Sequence, residues 1–219
     1  ALFLGGALAL SGYLLQSFFH NPIAGPFVLG ISSGAKMVVA LTMIIFLKYI
    51  GHFSSYTLIV AAFIGSLIST GFILLMSKKV HHKAALLVGG IMIGYICSAV
   101  TDFVVTFAED SDIVNLHGWS QGSFSGMSWS NVKVAALMVG ITLILTFFLS
   151  KPIGAYQLGE MYAQSMGVNI RVFRVLLILL SSVFSACVTA FAGPISFVGI
   201  AVPYLLSLIH ISEPTRLQL

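Results

Sequence analysis

The sequence predicts an all-α membrane protein, a polytopic transmembrane helix bundle of about six full spans plus short interrupted helices. Three observations predict it. Charged residues make up 7% of the 219-residue chain and hydrophobic residues 58%, whereas a soluble domain carries about 25% charged residues. Apolar runs recur at close to the roughly 20 residues that cross a hydrocarbon core as helix. Basic and acidic loops alternate between those runs. Barrel strands are excluded, because the runs are too long and lack strict period-2 alternation. Helix remains, since it satisfies each backbone N–H within its own segment.

Taken in order, the runs are 1–19, 29–47, 55–76, 84–107, 133–150 and 172–192. A seventh apolar stretch, 195–209, is too short for a full span and is broken by Pro203. The chain opens on Ala1-Leu2-Phe3-Leu4 without Met, charged flank or cleavage pattern, and reads as the inside of a helix. Cys97 and Cys187 both lie in apolar runs and read as small packed side chains.

The basic residues set the orientation. Lys78, Lys79 and Lys83 fall in the 77–84 connection, and Lys151, Arg171 and Arg174 in the 151–174 connection. The 108–132 connection between them has Glu109, Asp110 and Asp112 and no Lys or Arg. The positive-inside rule places the first two in the cytoplasm and the third outside. Alternation then puts 20–27 inside and 49–54 outside. Lys48 and Lys133 run against the bias, at helix ends where long stems reach the interface. The net charge of +4 is spread between apolar runs, which speaks for membrane orientation and against a nucleic-acid surface.

Three connections carry more pattern than a plain turn needs. In His20-Asn21-Pro22-Ile23-Ala24-Gly25-Pro26, two prolines and a glycine force a non-helical path. It is either a tight interhelical turn or a constriction on a transport path, since such backbone at membrane depth must be buried in protein or line a cavity. The 108–132 connection holds Trp119, Trp129 and a Gly118, Gly122, Gly126 series. It predicts a short helix at the outer leaflet with a face for close helix approach. The third, 154–167, places Leu158, Met161, Tyr162 and Met166 at helical spacing. It is either a surface helix packed on its own bundle or a dock for a partner protein. Lys36 and Asp102 are charges inside apolar runs, and a charge there faces a cavity or a partner more often than lipid.

These strings together resemble the FecCD-type permeases, the membrane subunits of ATP-driven importers for iron–siderophore complexes, haem and cobalamin. The resemblance runs in order through Gly6–Gly12, Asn21–Pro26, Leu29–Gly34, Leu86–Gly90, Trp119 with Gly122–Gly126, Leu158–Gly167, and Ala192–Gly199 leading to Val202-Pro203. It implies ten helices per subunit and two permease subunits, a homodimer or paralogues, around one path. It also implies separate ATP-binding subunits that use ATP, an extracytoplasmic substrate-binding protein, and a multi-pass location in the bacterial inner membrane.

By the same resemblance, Asn21, Pro22 and Ile23 form a cytoplasmic gate, and His82, Lys83 and Ala84 align with a second narrowing at the inner mouth. There the relatives carry small hydroxyl residues. Leu158, Gly159, Glu160, Ala163, Met166 and Gly167 belong to the element that couples to the ATPase, with Gly159 and Glu160 at the turn between two short helices and Met166 in place of a more usual leucine. Gly193, Pro194, Phe197, Gly199 and Pro203 form a structural motif. Lys36 stands where the family has a small or apolar residue. The family has a further helix before position 1 and about three after 203, so 1–204 reads as a partial permease domain. Residues 205–219 do not match the family after Val-Pro and read as a non-native or divergent tail.

No Walker loop occurs, so ATP hydrolysis is assigned to another subunit, and no zinc pattern or carboxylate pair supports an enzyme. The expected function is inward transport of an iron–siderophore or related metal chelate by alternating access, with no directly bound cofactor. The rivals are an ion-coupled secondary transporter and a membrane scaffold that recruits a partner through 155–171.

Overall fold

The computed structural model describes residues 1–46, 55–80, 82–195 and 197–206. Its order is α1 (Leu2–Phe19), α2 (Ile31–Leu41, continued by a π turn over Thr42–Phe46), α3 (Ser55–Lys79), α4 (Lys83–Val105), α5 (Asp110–Gln121) and α6 (Trp129–Phe148). Then come α7 (Ser150–Gln157), α8 (Glu160–Ser165), α9 (Ile170–Ala192) and α10 (Val198–Leu206). No strand occurs among the described residues. The outer 49–54 turn and the 207–219 part of the expected tail lie outside them.

Five helices are long and apolar enough to cross a membrane among the described residues. The second expected span, 29–47, is shorter among the described residues, where its apolar helix covers Ile31–Ile45. The non-helical path begun at Asn21 runs on to Gly30. A Cβ at Gly30 would lie 2.8 Å from Gly94 N and 3.0 Å from Gly90 O. Those residues are roughly 10–17 Å along α4 from Lys83, at 1.5 Å per residue. The irregular backbone therefore reaches membrane depth, and its burial in protein makes that tolerable: Ala24, Gly25, Pro26, Leu29 and Gly30 are buried.

Lipid tails are as apolar as leucine, so helices associate through close packing and polar contacts rather than through water exclusion. Small residues supply the packing. A Cβ at Gly65 (α3) would strike the Gly34 carbonyl oxygen and come within 2.9 Å of Ala35 Cα (α2). Hydroxyls supply the polar part. Ser11 Oγ donates to Ser181 O at 2.8 Å and Ser181 Oγ to Ser11 O at 3.0 Å, clasping α1 to α9. Replacing both serines by alanine is expected to cost about 1 kcal/mol, read as a drop of a few degrees in Tm in detergent.

The central helices are α1 and α9, with 56% and 72% of their windows buried, against 17% for α6. α10 lies on α1, and its packing explains two motif residues. Pro203 has no N–H for the carbonyl four residues back, that of Gly199. That carbonyl points at Gly12, where any Cβ would collide with it. Gly193 ends α9 at φ 79, and a Cβ there would lie 2.7 Å from Trp119 O. Phe197 is 74% exposed, and its carbonyl starts α10 by accepting from Ile200 N and Ala201 N. Pro194 is half-buried beside them.

The expected glycine face of the outer connection is not a helix-packing face. Gly118 and Gly126 have nothing within 4 Å of a built Cβ. Gly122 alone is close-packed, at φ 70 against Ile195 and Ala192, and α5 has already ended at Gln121. A four-residue spacing means one face only while the chain stays helical.

Candidate functional site

The basic loops converge on one end of the bundle. His20 is the C-cap of α1 in the left-handed region (φ 51, ψ 40), the only non-glycine with positive φ among the described residues. Its Nδ1 lies 3.1 Å from Lys83 Nζ, and its ring lies 5.3 Å from that of Tyr156. Loops 20–27, 77–84 and 151–157 therefore share one end, as the charge bias requires. At the opposite end Tyr56 donates to Ser130 at 3.1 Å, joining the starts of α3 and α6.

The first gate segment is held by side chains on both flanks. The Asn21 side-chain oxygen accepts from Ile23 N at 3.0 Å, closing an Asx turn in which Pro22 supplies the fixed φ. Gln16 Nε2 donates to Pro22 O at 2.9 Å and to Ile200 O at 3.3 Å, so one amide ties α1, the gate segment and α10 together. A Cβ at Gly25 would lie 2.6 Å from Ile200 Cγ1. Ile23 stays 69% exposed. Beside this segment a cavity of about 670 Å³ is bounded by Tyr13, Gln16, His20, Pro22, Gln157 and Pro203.

The second narrowing splits in two. His82 and Ala84 are exposed, and His82 serves as the N-cap of α4 without a side-chain cap bond. Lys83 turns inward: its ammonium lies 4.8 Å from the Tyr156 ring centroid and 5.9 Å from that of Phe18. Tyr156 is 1% exposed. Burial, reinforced by the Glu160 carboxylate and partly offset by Arg174, pushes its phenol up to about 12, so it remains neutral at physiological pH.

The segment expected to couple to the ATPase lies across two short helices, as the resemblance implies. Gly159 breaks it at φ 129, ψ 147, a conformation few side chains adopt, and Glu160 opens α8. Gly167 at φ 87 closes it, with Val168 N donating to Ala163 O at 3.0 Å. Ala163 is fully buried and anchors α8. The apolar residues at helical spacing point the other way: Leu158 is 72%, Met161 81% and Met166 62% exposed, and Tyr162 is exposed as well. The segment therefore does not bury these side chains on its own bundle. Glu160 is tied instead to Arg174 of α9 at 3.1 Å. The Arg174 guanidinium lies 5.9 Å from the Phe18 ring, on a half-buried stem. Arg174→Gln is expected to leave α9 inserted and to raise protease cleavage within 158–167 several-fold, since it removes the charge that holds α8.

Sequence reasoning named Lys83 and Glu160 but not the residues that join them, namely Phe18, His20, Tyr156 and Arg174. Charge counting held one usable signal. Glu160 is the sole acidic residue between Asp112 and Glu213, set among basic residues, and Arg174 follows it by fourteen. Lys36 is half-buried on α2 and Asp102 exposed near the outer end of α4, and no ion pair joins them.

The model of the FecCD transport family matches residues 1–218. The chain belongs to that family. Among FecCD relatives, the hemin transport system permease protein HmuU of Yersinia pestis is 35% identical over 207 residues, covering 94% of this chain and 62% of its own length. The vitamin B12 import system permease protein BtuC of Yersinia enterocolitica is 33% identical over 217 residues, covering 99% and 64%. An inward-facing structure of a metal-chelate type ABC transporter superposes with TM-score 0.84 at 26% identity, covering 95% of this chain and 65% of that one. The chain thus spans a little under two thirds of the length of these FecCD relatives.

Proposed function

We propose that this chain belongs to the membrane-spanning subunit of an ATP-driven importer that moves a metal chelate into the cytoplasm by alternating access. One observation carries the reading. The cytoplasmic end presents Leu158, Met161 and Met166 outward from two short helices, and the same helices touch the gate segment through Tyr156 and His20. An exposed apolar patch on a basic, otherwise polar end is a surface built for another protein. Its link to the gate gives that protein something to move.

The partners in this reading are ATP-binding subunits at 158–167, a second permease subunit, an extracytoplasmic binding protein and the surrounding lipid. The relatives named for hemin and vitamin B12 support a bulky chelate as cargo. An iron–siderophore complex is the first substrate to test. The ion-coupled alternative needs a relay inside the membrane, and the unjoined Lys36 and Asp102 do not supply one.

The test is uptake into proteoliposomes holding the full-length permease with its ATPase and binding protein. Uptake of ferric chelate is expected only with ATP on the cytoplasmic side. Uptake driven by an ion gradient without ATP would overturn the proposal.

A further inference from the structure

We infer that Lys83 is a positioning residue that ties the coupling helices to the inner gate through His20, and that the tie holds only while His20 is neutral. The inference rests on the importer reading above. Lys83 opens α4, yet its ammonium touches two other elements: His20 Nδ1 at the end of α1, at 3.1 Å, and the Tyr156 ring on α7, at 4.8 Å to the centroid. Tyr156 is buried and tilted against Phe173 at 5.2 Å, so its ring cannot move without α7. α7 continues through Leu158 and Gly159 into α8, which Arg174 holds by Glu160. A push on α8 therefore reaches Lys83 through a short, packed path. His20 sits where the helix gives way to the gate segment, in a left-handed conformation from which a small rotation re-aims Asn21 to Ile23.

The chemistry of the contact sets its condition. An ammonium has three donors and no acceptor, so His20 must offer Nδ1 as a lone pair and carry its proton on Nε2. A proton on Nδ1 would set two cations 3.1 Å apart. The groups facing the pair from every packed element are Lys83 from α4, the neutral Tyr156 phenol from α7, Arg174 from α9 and Glu160 from α8. Among the described residues the sole carboxylate facing the pair, Glu160, is already engaged by Arg174.

The experiment measures uptake per ATP hydrolysed in proteoliposomes of the full-length permease, its ATPase and its binding protein, with the cytoplasmic-side pH set at 8 or 6. Wild type is expected to lose about threefold in this ratio at the lower pH, because a proton on Nδ1 removes the acceptor that Lys83 needs. His20→Gln keeps a neutral acceptor that does not titrate, so its two values should agree, whatever their level. Lys83→Met should lower uptake per ATP roughly fivefold at pH 8 while hydrolysis continues, and Lys83→Arg should recover most of it. Wild-type coupling in Lys83→Met, or the same pH fall in His20→Gln as in wild type, would overturn the inference. Failure of wild type to take up chelate with ATP at either pH would overturn the importer reading, and this tie with it.

Discussion

Replacing Leu158 and Met161 together by glutamate is expected to abolish ATP-dependent uptake, by at least about a hundredfold, while leaving the permease folded. The two side chains are 72% and 81% exposed, so the bundle loses no packing when they change. Large apolar anchors at a protein interface are worth roughly 2 kcal/mol or more each, and burying a carboxylate in their place adds a desolvation cost. The new charges also sit beside Glu160 at the start of α8. Co-purification of the ATPase with tagged permease should fall in parallel, and Tm of the permease alone should not move. Retained co-purification would show that this surface is not the dock. Glu160→Lys is a poorer probe, because it also breaks the ion pair to Arg174.

Gly65→Val is expected to remove most of the folded permease. The Cβ alone would strike the Gly34 carbonyl oxygen, and Ala35 Cα is 2.9 Å away. Both obstacles are backbone, so no side chain can swing aside. Ser66 Oγ of α3 also donates to Ile31 O at the first residue of α2, at 3.4 Å, next to the end of the non-helical stretch. Overpacking of a tight contact costs about 3 kcal/mol, or roughly 10 °C in Tm for a protein of this size. Gly140→Val on α6, where nothing lies within 4 Å of a built Cβ, should change Tm by no more than a degree or two.

These two predictions also mark where the sequence could be read directly and where it could not. Apolar run length located α1, α3, α4, α6 and α9, because a helix that meets lipid must advertise itself along its whole length. The Lys and Arg bias located the cytoplasmic end, which the Lys83–His20 contact then closes. The run at 29–47 matches a described helix that begins at Ile31, just after the irregular path ends at Gly30. Residue spacing alone put the apolar residues of 154–167 on one helical face, because spacing carries no record of a backbone turn, while the break at Gly159 between two short helices came from the family resemblance. Gly118, Gly122 and Gly126 failed as a face for the same reason.

The segments proposed as gate and coupling element were legible as separate strings. Their union was not, because Tyr156 meets His20 across 136 positions and Arg174 meets Phe18 across 156, and neither pairing leaves a local pattern. What the sequence did hold was scarcity. With six acidic residues in the whole chain, the basic residues around Glu160 have few carboxylates to choose from.

The central claim is that the outward face of 158–167 receives the ATPase. Site-specific crosslinking from a cysteine at position 161 of the full-length permease, in membranes containing the ATPase, tests it most directly. Cys97 and Cys187 are buried and stay in place. A short thiol crosslinker should join Met161→Cys to the ATPase and leave Trp129→Cys, 81% exposed at the opposite end, unlinked. Equal yields at the two positions, or none at 161, would contradict the account.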